Sequence, residues 1–236
     1  MNGITRLLTS SVGKKFLMAI TGAILSLFVL GHMCGNLQFF LDAKWLNSYA
    51  HHLQHLPYGL LWVVRLVMLT AVVVHIVVGI KLTTHNMKAR PGYEVDATIQ
   101  ASIGSRTMIW TGLVLFMFIV FHIMHYTVKN VQDFSALTYN LEGYGIVPDV
   151  QAIMYEGFSI WYYSMFYIVA VGLLLFHLSH GVASVFQTVG MRNEVWRKRL
   201  ECIAWVYAAA VFCGFASIPV CVLLDKYVFP NLLGFR

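Results

Sequence analysis

Residues 160–187 read IWYYSMFYIVAVGLLLFHLSHGVASVFQ, without one aspartate, glutamate, lysine or arginine. At 1.5 Å of rise per residue, about 20 apolar residues cross the roughly 30 Å hydrocarbon core of a bilayer. This stretch is long enough to span a membrane. Working outward, residues 16–40, 58–82, 106–128 and 202–224 are also long and mostly apolar, with Arg65, Lys81 and Arg106 as their charged residues. Between the five stretches lie breakers: Pro57-Tyr-Gly59, Arg90-Pro-Gly92, Gly143-Tyr-Gly145 with Pro148, and a charged run over 192–199. The connections leave no room for a separate soluble domain. The expected fold is all-α and integral to a membrane: a single domain, 1–236, of five transmembrane helices.

Composition agrees. The chain is 59% hydrophobic and 11% charged, with mean hydropathy +0.71, against about 45–50% apolar and 25% charged in globular proteins. A net charge of +6 could suggest nucleic acid. The basic residues gather instead at the ends of apolar stretches, so nucleic acid is not an expected partner and membrane lipid is. Cys34, Cys202, Cys213 and Cys221 are scattered in apolar sequence with no CxxC or CxxCH, which leaves a thiolate metal site, an iron–sulfur cluster and covalent haem attachment unsupported. The apolar run after Lys15 has no small-x-small cleavage site and reads as a retained first helix.

Loop charge predicts the threading. Alternating ends collect Arg6, Lys14, Lys15, Lys81, Lys88, Arg90, Arg106, Arg192, Arg197, Lys198 and Arg199 on one side, eleven of the sixteen basic residues. The other side has five basic residues and six of the ten acids. By the positive-inside rule the N-terminus is expected in the cytoplasm and the C-terminus outside, in a multi-pass protein of the cytoplasmic (inner) membrane.

Ionisable groups inside a span are costly and usually functional. Each of the first four spans carries one well inside: His32, His75, His122 and His177. His32 lies 17 residues after Lys15 and His122 lies 16 after Arg106, whereas His75 lies 6 before Lys81 and His177 lies 10 before Gln187. Antiparallel threading therefore puts His32 with His122 near the outer surface and His75 with His177 near the inner one, at levels roughly 10–16 Å apart. One facing pair at each of the two levels is what the iron of a bis-histidine haem needs there. Zinc would want three or four ligands at one point. His75 and His177 are each followed four residues later by glycine, Gly79 and Gly181, which would leave space for a macrocycle. That pattern favours His177 over His180, and depth favours His122 over His125. His125 and His180 are expected as hydrogen-bonding or propionate-side groups.

This order of motifs resembles the di-haem cytochrome b membrane anchor of succinate dehydrogenases and fumarate reductases. The resemblance covers nearly the whole chain. It rests on Ser11-Val-Gly-Lys-Lys-Phe, Gly31-His-Met-Cys-Gly-Asn36, Asn47-Ser-Tyr-Ala-His-His-Leu-Gln-His-Leu-Pro57, His75-Ile-Val-Val-Gly79 and Ala89-Arg-Pro91. It continues through Ser105-Arg-Thr-Met-Ile-Trp-Thr-Gly112, Phe121-His122, Phe176-His-Leu-Ser-His-Gly181 and Gly214-Phe-Ala-Ser-Ile-Pro219. It implies two haem b groups, the inner on His75 and His177 and the outer on His32 and His122. It also implies a flavoprotein subunit with covalent FAD and an iron–sulfur subunit docked on the cytoplasmic face, and electron exchange with quinone, typically menaquinone. No succinate chemistry is expected of this chain alone. Certain relatives carry a glutamate two residues before the ligand of helix four; here that position is Leu175, which puts a proton pathway of that design in doubt.

After the first span, Leu46, Tyr49, Ala50, Leu53 and Leu56 recur at helical spacing, opposite Asn47, His51, Gln54 and His55. This reads as an interfacial helix outside the outer pair. Tyr49, His51, Gln54 and His55 form the pool of candidate quinone contacts, since they can hydrogen-bond carbonyl oxygens. Lys81, Arg106 and Arg192 are candidates for the propionates, or for lipid headgroups. Gly31-x-x-x-Gly35 is a candidate helix-packing pair. Two alternatives stand beside the main reading: a di-haem anchor for another quinone-linked dehydrogenase, and a haem-free transporter using intramembrane histidines.

Overall fold

In the computed structural model, residues 10–88, 103–191 and 193–234 are described, with backbone alone for 86–88 and 103–106. The expectations for Arg6, Arg90, Arg192 and the Arg106 side chain fall outside the described residues. Among the described residues, seven α-helices and one hairpin follow in order. They are α1 (Ser11–Asn36), α2 (Ala43–Gln54), α3 (Leu60–Lys88), α4 (Ile103–His122), β1 (Thr138–Leu141), β2 (Gly145–Pro148), α5 (Val150–Phe158), α6 (Trp161–Thr188) and α7 (Glu194–Tyr227). Five of them, α1, α3, α4, α6 and α7, are long and apolar enough to cross a membrane. Their outward faces expose Leu27, Leu69, Met117, Val169 and Val206, as helices solvated by lipid would. The chain is a multi-pass helical membrane protein.

Helix starts follow local chemistry. The side chains of Ser10, Asp42, Asp149 and Asn193 each accept a hydrogen bond from a first-turn backbone N–H of α1, α2, α5 and α7, satisfying donors that a helix N-terminus leaves orphaned. The Asn193 cap explains a departure from expectation. The charged run 192–199 reads as a loop, yet 194–199 forms the first turns of α7, because Glu, Arg and Lys are good helix formers once a cap is present. α4 runs on into a π-helical turn, Ile123–Val128, and stops at Lys129 in the left-handed region (φ 60°).

α1 packs on α3 and α6; α4 packs on α6 and more sparsely on α3. Those neighbours form a four-helix ring, with α7 laid against α6 and α1. Ser26 and Tyr207 tie α7 to α1: Ser26 Oγ donates to Tyr207 Oη (2.8 Å), which donates to Ser26 O (2.7 Å). A methyl on Gly214 would strike the Met33 side chain, so this approach needs glycine.

One end of the bundle carries a cap, the hairpin end. β1 and β2 pair antiparallel, Tyr139 opposite Val147, around the Gly143-Tyr-Gly145 turn. Sequence reading treats this stretch as a mere breaker. α2 and α5 lie beside it, locked by Asn47: its Nδ2 donates to Asp149 Oδ1 (3.0 Å), and its Oδ1 accepts from Val150 N (2.7 Å). Gln151 Nε2 donates to Phe39 O and Leu41 O. Phe39, Leu46, Met154, Phe158, Ile218 and Val222 form the apolar core beneath. The buried face of α2 therefore differs from the periodicity: Asn47 is buried with Leu46, while Tyr49 and Leu53 are exposed. Nor do Gly31 and Gly35 act together as one helix-packing face. A methyl on Gly31 would meet nothing within 4 Å, and Gly35 underlies the Tyr49 ring.

Candidate histidine-pair sites

The two histidine pairs join diagonally opposite helices of the ring. His32 of α1 faces His122 of α4 with ring centres 5.8 Å apart, nearer the hairpin end. His75 of α3 faces His177 of α6 with centres 6.3 Å apart, toward the far end. Two imidazoles binding one metal from opposite sides, each through a nitrogen about 2.0–2.1 Å away, have ring centres about 6 Å apart. Both spacings fit a metal atom between the rings. Among the described residues no three His, Cys, Asp or Glu side chains converge on one point. The donor set is thus two imidazoles per site, which suits a group that brings its own equatorial ligands, as haem does.

At the far pair each ring is anchored by a threonine of a neighbouring helix. Thr21 Oγ1 of α1 lies 3.2 Å from His75 Nδ1, and Thr111 Oγ1 of α4 lies 3.1 Å from His177 Nδ1. Both Nε2 atoms are left for a metal. Sequence reasoning missed these threonines. The signal was present as a repeat, Thr-Gly-x5-Phe-x3-His, at 21–32 and again at 111–122.

The hairpin-end pair is built differently. Phe28 stacks on His32 (centres 5.6 Å apart) and Phe118 on His122 (5.8 Å). His122 Nδ1 lies 3.3 Å from Tyr167 Oη, which also lies 3.1 Å from His125 Nδ1. Asn36 Nδ2 approaches His32 Nε2 at 3.4 Å. His125 is fully buried among Tyr126, Phe134, Tyr163 and Tyr167. Tyr126 Oη and Ser159 Oγ are buried without a hydrogen-bond partner.

Other expected residues separate. His180 is half-buried on α6, and Lys81 is exposed. The two glycines that follow His75 and His177 are not equivalent. A methyl on Gly181 would meet nothing within 4 Å, whereas one on Gly79 would lie 3.1 Å from Met18 Cε. Gly79 serves α1–α3 packing rather than open space. Leu175 packs in the apolar cluster of Met33, Leu178 and Val211. His51, Gln54 and His55 line one cleft of about 200 Å³ with Asn47 and Tyr144, between α2 and the hairpin. Tyr49 is not in it; it lies over Gly35. His51 stacks on His55 with centres 4.2 Å apart and meets Tyr144 at 4.5 Å. Partial burial, then the neighbouring His55 and His52, hold His51 below the ordinary imidazole range. At neutral pH its ring can therefore donate from one nitrogen and accept at the other.

Comparison of the chain with protein families, curated proteins and solved structures found no match.

Proposed function

We propose that this chain is a di-haem cytochrome b subunit that links soluble redox partners to membrane quinone. On this reading it anchors the flavoprotein and iron–sulfur subunits of a succinate:quinone or quinol:fumarate oxidoreductase. The observation that carries the reading is the double diagonal: two imidazole pairs at metal-bridging spacing, on two levels of one bundle. His32 and His122 would hold one haem b, His75 and His177 the other. Bound haem supplies reversible one-electron chemistry whose potential depends on ligands, burial and hydrogen bonds.

The ends of the bundle support the assignment of partners. Lys15, Lys81, Arg197, Lys198 and Arg199 are exposed at the far end, which by the positive-inside rule faces the cytoplasm. There they would meet the hydrophilic subunits. At the hairpin end, the cleft of His51, Gln54, His55 and Tyr144 offers an aromatic wall and hydrogen-bonding groups. This suits the planar ring and carbonyl oxygens of a quinone such as menaquinone. Because His51 is uncharged at neutral pH, it can exchange a proton with a quinone oxygen.

The test is a dithionite-reduced-minus-oxidised spectrum with pyridine-haem quantitation on the purified complex. About two non-covalent haems per chain are expected from two bis-histidine sites, with His75→Ala and His122→Ala each removing a different one. Folded, membrane-inserted wild-type protein that binds no haem overturns the reading.

A further inference from the structure

We propose that Thr21-Gly22 and Thr111-Gly112 are two equivalent imidazole cradles, in which Thr21 and Thr111 are the positioning residues that set the tautomer and ring plane of His75 and His177. A threonine hydroxyl has one proton. That of Thr21 is committed to its own helix, since Oγ1 lies 2.7 Å from Leu17 O and 3.2 Å from Met18 O. Thr111 Oγ1 lies 3.1 Å from both Thr107 O and Met108 O. With the hydroxyl proton donated to a carbonyl of its own helix, each oxygen accepts from the histidine, and Nδ1 carries the ring hydrogen. The Nε2 lone pair is left for a metal, the arrangement in which an outer partner fixes a ligand's tautomer and raises its basicity.

The glycine completes the cradle. A methyl on Gly22 would lie 3.4 Å from His75 Cε1, and one on Gly112 would lie 3.5 Å from His177 Cε1. The Nδ1–Cε1 edge of each ring thus rests on a Thr-Gly step. A methyl would just touch it, and a larger side chain would push the ring away.

The cradle is also a ruler. In both α1 and α4 the threonine precedes a pair histidine by 11 residues, Thr21 to His32 and Thr111 to His122. Eleven residues are close to three full turns, about 16 Å of rise on one helix face. Each of these helices therefore supplies an imidazole at the hairpin-end level and orients another helix's imidazole at the far level. Neither site can rotate or slide without the other.

The cradle itself needs no haem; its redox consequence rests on the function proposed above. Nitrogen-15 NMR of histidine-labelled, haem-free full-length chain in detergent reads the tautomers directly. Wild-type His75 and His177 are expected as Nδ1–H. Thr21→Val should disturb His75 alone and Thr111→Val His177 alone, with Thr21→Ser restoring the wild-type signal. A wild-type ring protonated at Nε2, or valine variants with unchanged tautomers, overturns the proposal. In the haem-loaded complex, either valine variant should shift the far haem's midpoint potential upward, because a ligand that loses its acceptor is less basic, and leave the other haem unmoved. A shift of both haems, or of neither, counts against the cradle. Failure of the wild-type chain to bind haem would sink the proposed function, while the NMR result would still decide the cradle.

Discussion

The far pair and the hairpin-end pair use the same side chains at nearly the same spacing, yet their surroundings have little in common. His75 and His177 each have one threonine hydroxyl at Nδ1, and that hydroxyl also reaches carbonyls of its own helix. At the other pair, a single tyrosine hydroxyl lies within reach of both His122 and His125, and an asparagine amide sits at the nitrogen of His32. A tyrosine hydroxyl has one proton and cannot donate to two rings at once. Buried polar atoms without partners also cluster at this level and carry a desolvation cost. The lesson is one of preorganisation: the far site is set in one state by local chemistry, and the hairpin-end site keeps several.

The largest effects that would break this comparison come from the ligands. On the proposed function, His177→Ala should abolish the far haem and spare the other, and His32→Ala should do the reverse, read as separate losses in difference spectra. If either variant lost both haems, the two sites would not be independent. Next is Asn47→Ala, which removes both hydrogen bonds joining α2 to the start of α5. A loss of about 2–3 kcal/mol is expected for two partly buried bonds, seen as a lower Tm in detergent, with both haem bands of the proposed cytochrome intact. Tyr167→Phe should cost less, about 1–2 kcal/mol for one shared hydroxyl, and perturb only the hairpin-end signal. A change in the far haem instead would show the sites coupled through α6. The smallest effect belongs to the Lys44–Glu142 ion pair, whose side chains are 59% and 86% exposed. Lys44→Ala should leave Tm unchanged at neutral pH and insensitive to salt. Glu142 raises the Lys44 pKa, through a hydrogen bond and its charge. Any contribution is therefore present below the ordinary lysine value and fades only as pH rises through the raised one.

The spans were legible because hydropathy over 20 or more residues swamps every local preference. Pairing by depth was legible because antiparallel threading fixes which histidines share a level. The cap was not. Asn47 reads as a water-facing residue on an amphipathic helix; it is buried because its partners, Asp149 and Val150, lie more than 100 positions downstream. No local pattern carries that information. The threonines hid for another reason: one threonine in an apolar helix is an ordinary residue. Thr21 and Thr111 gain meaning only when α1 and α4 are set side by side. Tyr49 looked equal to His51 as a candidate and is set apart by packing on Gly35.

The diagonal arrangement bears on how the protein is made. Spans leave the ribosome in order, and neighbouring spans in the chain never complete a site together. The first two deliver half of each. The third brings His122 and closes the hairpin-end pair, while His75 still waits for His177 on the fourth. Tyr167 and the far partner arrive in that same segment. Span order alone would bring the hairpin-end imidazoles together first, and would deliver His177 to a threonine already in place.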